Sequence, residues 1–276
     1  MRSRSASHSE ATRTHSARNH STRHCPTAPR KLAFADEQST TNSPLSLPSR
    51  LFRFLIAITV LLPLLIIFAS SIAQSISNTE SGVEHVRFWS RTPIWYTLMG
   101  ALVFTSLTLM NIRRSLSLYL YVMGHELTHA VAILLCGGKI KGIKITSTQG
   151  GYVLTNKTNI FISLAPYFVP FWMIVWLLCV WGVNFFYPFN TYIEWFYAGF
   201  GFWLAYHLYW TAYSIIQERQ PDLFDNGLLF SVLIVMIINC ALLIGVLMLF
   251  GIISPENFAD AFKASTRQFF NIICGK

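Results

Sequence analysis

His125-Glu126-Leu127-Thr128-His129 sets two imidazoles four residues apart, with a carboxylate beside the first. On a helix, residues four apart share a face, so His125 and His129 can point at a common ion. Glu126 is turned about 100° from His125 and can reach water near that ion. Two neutral imidazole ligands and a carboxylate that activates water are the working parts of a zinc hydrolase. Glu126 is also the only formal charge between Arg114 and Lys139. An ionisable group in so apolar a stretch costs roughly 3 kcal/mol at membrane depth, a cost that metal binding offsets.

Two histidines call for a third protein ligand, leaving a fourth position for water. The acidic candidates are Asp222 and Asp225, in Gln220-Pro221-Asp222-Leu223-Phe224-Asp225-Asn226-Gly227. Upstream, His207, Thr211, Ser214 and Glu218 recur at helical spacing and form one polar stripe that leads to Asp222. Ser and Thr in such a stripe equally suit ordinary hydrogen bonding between helices. Asp225-Asn226-Gly227 reads as turn chemistry before the next helix, so Asp222 is the preferred ligand and Asp225 the alternative. His207, roughly four turns before Asp222, stays open as a ligand but is better read as a group that supports the ligands or faces substrate, and Asn239 is placed with it.

The elements that must position these residues are apolar helices. Of 276 residues, 53% are hydrophobic, 15% aromatic and only 12% charged, which excludes a soluble domain. Several apolar runs are about twenty residues long, enough to cross a hydrocarbon core. The expected fold is an all-α polytopic membrane protein with about six transmembrane helices and a short β-hairpin after the motif helix. The spans are expected at 54–73, with Pro63 as a kink, 94–111, 116–136, 160–183, 192–216 and 228–252. Gly137-Gly138 should stop the motif helix. Residues 139–146 mostly alternate polar with apolar or small, and 152–155 can return as a second strand after Gly150-Gly151.

Residues 1–50 carry +5 of the net +9 and are rich in Ser, Thr, Arg and Pro. A disordered cytoplasmic tail that helps set topology is expected there, and nucleic acid is not an expected partner. The membrane core is expected over 51–252. A C-terminal tail over 253–276 carries Phe258, Phe262, Phe269 and Phe270, which suit an interfacial helix. The first apolar run starts near Leu51, too far in for an ordinary secretory signal peptide, so a retained span is expected. Positive charge puts the tail, Arg113-Arg114 and 139–157 all on the cytoplasmic side. A full span between the last two would separate them, so one cluster lies across the membrane or one segment is re-entrant. The cysteines, at 25, 136, 179, 240 and 274, show no framework, and no disulfide is expected.

Gly124-His125-Glu126-Leu127-Thr128-His129-Ala130, Gly137-Gly138, the Gly-Gly-Tyr-Val segment at 150–153 and the distal Asp resemble the site-2 protease family of intramembrane zinc metallopeptidases. Leu164-Ala165-Pro166-Tyr167 with Pro170, then Gln220-Pro221-Asp222 through Gly227 to Phe230-Ser231, resembles its compact bacterial-type branch, without a PDZ-like insert. The similarity covers about 116–240. It implies one zinc ion per chain held by His125, His129 and Asp222, with Glu126 as the catalytic carboxylate. The implied substrate is a membrane protein cut within or near a transmembrane segment, with Gly150, Gly151 and Tyr152 on the substrate side. The family's second motif is Leu-Asp-Gly, whereas this chain has Asp225-Asn226-Gly227 with Asp222 earlier. That departure keeps Asp222 and Asp225 both open as third ligand. A transporter using buried His, Glu and Asp, or an inactive family member, are the alternative functions.

Overall fold

The computed structural model describes residues 46–80, 92–112, 114–146, 150–188, 191–217 and 220–275. The first helix runs as α1 (Leu47–Ile56), one π turn (Ala57–Leu61) and α2 (Leu62–Glu80). The widened turn lies just before Pro63, whose ring and missing N–H it accommodates. This helix is longer than the expected 54–73 at both ends. The basic segment 1–45 and Glu218 of the polar stripe lie outside the described residues.

Helix α3 spans Thr92–Leu109, and the motif helix α4 spans Arg114–Leu135. Helix α4 ends as its glycines dictate. Gly137 has φ 72°, its N–H bonds to Leu134 O at 2.9 Å, and Gly138 N–H bonds to Ile133 O at 2.8 Å, the pairing of a Schellman cap. Strands β1 (Ile140–Thr146) and β2 (Gly150–Thr155) then form the expected antiparallel hairpin, with Ile143 opposite Val153 and Lys144 opposite Tyr152. Gly151, Val153 and Thr155 face inward, and Val153 packs with Ile133, Ile162 and Ala165.

The segment expected as one span at 160–183 is two helices, α5 (Ile160–Phe168) and α6 (Phe171–Val183), bent by 66°. The break follows from proline. Val169, before Pro170, is extended, because the proline ring disfavours a helical residue ahead of it. Helix α7 covers Ile193–Gln217, the short α8 covers Pro221–Phe224, and α9 covers Leu228–Leu249. Helices α3 and α7 pack closely because Gly100 and Gly201 carry no side chain: a Cβ on either would run into the Ala198 or Thr97 carbonyl. Helix α10 (Pro255–Cys274) lies along α2, with Phe258 and Phe262 edge-on to Phe68.

Three helices among the described residues are long and apolar enough to cross a membrane: Leu47–Ser77, Arg114–Leu135 and Leu228–Leu249. The bent pair α5–α6 makes a fourth if it crosses as one. The expected count of six is therefore not reached. Helix α3 is apolar but shorter than these three, and α7 is diluted by Glu194, His207 and its tyrosines. The protein is a helical membrane protein with one small hairpin.

Candidate metal centre

The motif helix presents its chemistry to the interior. His125, Glu126 and His129 are all buried, although they sit in an apolar helix whose opposite side exposes Val131, Leu134 and Leu135. Asp222 is buried as well and comes in from α8. His125 Nε2 lies 3.2 Å from His129 Nε2, and Asp222 Oδ2 lies 3.6 Å from the first and 3.4 Å from the second. These three are the one group of His, Cys, Asp or Glu among the described residues that could hold a metal ion.

The donor set fits such an ion. Ligands placed about 2.0–2.1 Å from a tetrahedral zinc stand roughly 3.3 Å apart, which matches all three sides of this triangle. Orientation fits too. His129 Nδ1 donates to Ile162 O at 2.8 Å, which leaves the Nε2 lone pair for the shared centre. Burial alone pushes the Asp222 carboxyl up, but the imidazoles of His129 and His125 prevail and hold it below the usual carboxylate range.

Pro166 explains the acceptor. In a helix the Ile162 carbonyl would bond to the N–H of residue 166, which proline lacks. The freed carbonyl is the one His129 uses. The break at Pro170 frees a second carbonyl, that of Tyr167. Asn239 Nδ2 takes it at 2.9 Å and Thr211 Oγ1 at 3.3 Å. Thr211 of the polar stripe thus bonds between helices, as that part of the pattern allowed.

The other sequence candidates fall at different distances from the triangle. Asp225 is exposed at the end of α8 and does not join it. His207 is buried, with Nε2 3.2 Å from Asn239 Oδ1, and shares a small cavity with His125. It is not among the three clustered donors. Gly151 lies against Glu126: a Cβ there would collide with Cγ and stand 2.8 Å from Cδ and 2.9 Å from Oε1. Gly150 has φ 78° and its carbonyl accepts from Thr146 Oγ1 at 2.5 Å, so it serves the turn. Tyr152 is half-buried on β2 opposite Lys144.

Sequence reasoning missed Tyr121, one helical turn before His125. Its hydroxyl lies 3.3 Å from His125 Nδ1, makes a short hydrogen bond with Ser214 Oγ, and its ring stacks on Trp210. The four-residue spacing to His125 was the available signal. Ser214 of the polar stripe is the other end of that bond.

Residues 94–211 match the family model described as Peptidase M50B-like. The match begins earlier than the 116–240 over which the motifs carry the resemblance, and it ends before Asp222. Searches of the curated proteins and of the solved structures gave no match. The segment that carries the His125–His129 motif is therefore similar to the Peptidase M50B-like family, in line with the site-2 protease-like family that the motif residues resemble.

Proposed function

We propose that this chain is a zinc-dependent endopeptidase that hydrolyses peptide bonds within or near transmembrane segments of membrane-protein substrates. It would act as a multi-pass protein whose N-terminal tail lies on the cytoplasmic side. The observation that carries the reading is the buried triangle of His125, His129 and Asp222 directly beside the buried carboxylate of Glu126.

His125, His129 and Asp222 would hold one zinc ion. When bound, zinc polarises a scissile carbonyl and makes water more acidic. Glu126 takes the proton from the attacking water and returns it to the departing amine. Tyr121 and Ile162 O orient the two imidazoles from behind. A substrate helix has no free backbone donors, so its scissile segment unwinds before attack. The hairpin offers an open strand edge that pairs with the unwound segment. Its Gly151 already touches the catalytic carboxylate.

The test is zinc stoichiometry and cleavage of a model transmembrane substrate by purified wild type and Glu126→Gln. Expected are one zinc per chain in both proteins, and cleavage lost in the variant. Zinc-free wild type, or a Glu126→Gln protein that still cuts, would sink the reading. A photo-crosslinker at Tyr152 or Leu154 should capture the substrate segment, and absence of capture during active cleavage rejects the pairing role.

A further inference from the structure

Arg53 lies on α1, far in sequence from the metal-centre residues. An arginine near the end of an apolar helix ordinarily extends to the membrane surface and helps fix topology. Here it does something more specific. Its Nη1 donates to Asn226 O at 3.0 Å and to Asn226 Oδ1 at 2.9 Å, and its guanidinium lies 5.8 Å from the Phe230 ring centroid. Asn226 Nδ2 in turn donates to Asp222 O at 3.2 Å.

These bonds form a chain from the first helix to the backbone of the residue that completes the donor triangle. Asn226 does not cap α9, whose N-cap is Gly227 with no side-chain cap bond. Its amide is committed instead to Arg53 on one side and Asp222 on the other. The loop is pinned from inside by Leu223, which is fully buried, and by Ser231 Oγ donating to Leu223 O at 3.0 Å. Arg53 supplies the outer restraint. Asp222 sits on a helix of only four residues, too short to hold a carboxylate in place by its own hydrogen bonds.

We propose that Arg53 is a positioning residue, which acts through Asn226 to fix the loop that carries Asp222 and so sets metal affinity. The metal-affinity part rests on the function proposed above, whereas the loop-fixing part does not. The role also gives Asn226 a purpose at the place where the chain departs from Leu-Asp-Gly: the residue before glycine is the handle, and the ligand sits four residues earlier.

The experiment compares full-length wild type, Arg53→Ala, Arg53→Lys, Asn226→Ala, the Arg53→Ala/Asn226→Ala double variant and Arg50→Ala, all in detergent. Amide exchange over 220–227 is read in metal-free protein, and zinc affinity is read by chelator competition. Arg53→Ala should speed exchange in that loop about tenfold with protection of α4 unchanged, and weaken zinc binding by about ten- to hundredfold. Asn226→Ala should match it, and the double variant should be no worse than either single variant. Arg53→Lys should recover part of both effects, and Arg50→Ala, at an exposed position one turn earlier, should leave both unchanged. A folded Arg53→Ala protein with normal loop exchange overturns the proposal, as do fully additive effects in the double variant. Wild type that binds no zinc would end the metalloprotease reading, and loop exchange would still decide the role of Arg53.

Discussion

His129 Nδ1 donates at 2.8 Å to the Ile162 carbonyl, the acceptor that Pro166 leaves without a helical partner. A backbone rule of proline thereby becomes a rule about a metal ligand. The imidazole is held in the tautomer that presents Nε2 to the centre, and the bond is buried, where alternatives from water are scarce.

Pro166→Ala restores an N–H that competes with His129 for this carbonyl. The variant should fold, since a helix interior favours alanine over proline by about 3 kcal/mol. Zinc affinity, measured by chelator competition, should nevertheless fall by roughly ten- to hundredfold. Unchanged affinity would show that the ring is oriented by packing alone.

Gly151→Ala tests the contact between hairpin and carboxylate. Gly151 does not have positive φ among the described glycines, so alanine adds bulk without backbone strain. That bulk collides with Glu126, whose side chain is buried and has little room to yield. Zinc should stay bound while kcat falls at least about tenfold, within the range that a positioned general base contributes. Retained kcat would mean that Glu126 shifts freely and that the contact is incidental.

The motif face, the helix stop at Gly137 and the hairpin were legible because each depends on local rules: period 3.6, left-handed glycine and alternation. The triangle was legible only in part. Asp222 and Asp225 have the same chemistry three residues apart, and only the tertiary packing, with Leu223 in the core, shows that one is buried and the other exposed. The break at Val169-Pro170 was hidden by hydropathy, which averages over 160–183 and takes no account of direction. The bonds of Arg53 to Asn226 and of Tyr121 to Ser214 were invisible for another reason. They join residues 173 and 93 positions apart, and no sequence period encodes such a pairing.

Tyr121→Phe removes the hydroxyl that faces His125 Nδ1 and Ser214 while keeping the ring stacked on Trp210. The fold should persist, with a stability loss of about 1 kcal/mol for the lost hydrogen bonding. Zinc affinity should drop by about tenfold, because the His125 ring loses its restraint. Wild-type affinity in this variant would assign the hydroxyl to helix packing only.

Separate Asp222→Ala and Asp225→Ala variants decide the third ligand. Asp222 Oδ2 stands 3.4 Å and 3.6 Å from the two imidazoles, whereas Asp225 is exposed at the C-terminal end of the same short helix. Loss of Asp222 removes one of three donors and leaves two imidazoles facing each other, so zinc should be lost during purification and cleavage abolished. Zinc should also stop raising the unfolding temperature, since a ligand stabilises only the state it binds, by about 2.7 kcal/mol at a hundredfold excess over Kd. Asp225→Ala should retain the metal, the thermal shift and activity. The reverse pattern would move the ligand to Asp225 and require the loop to turn over on metal binding.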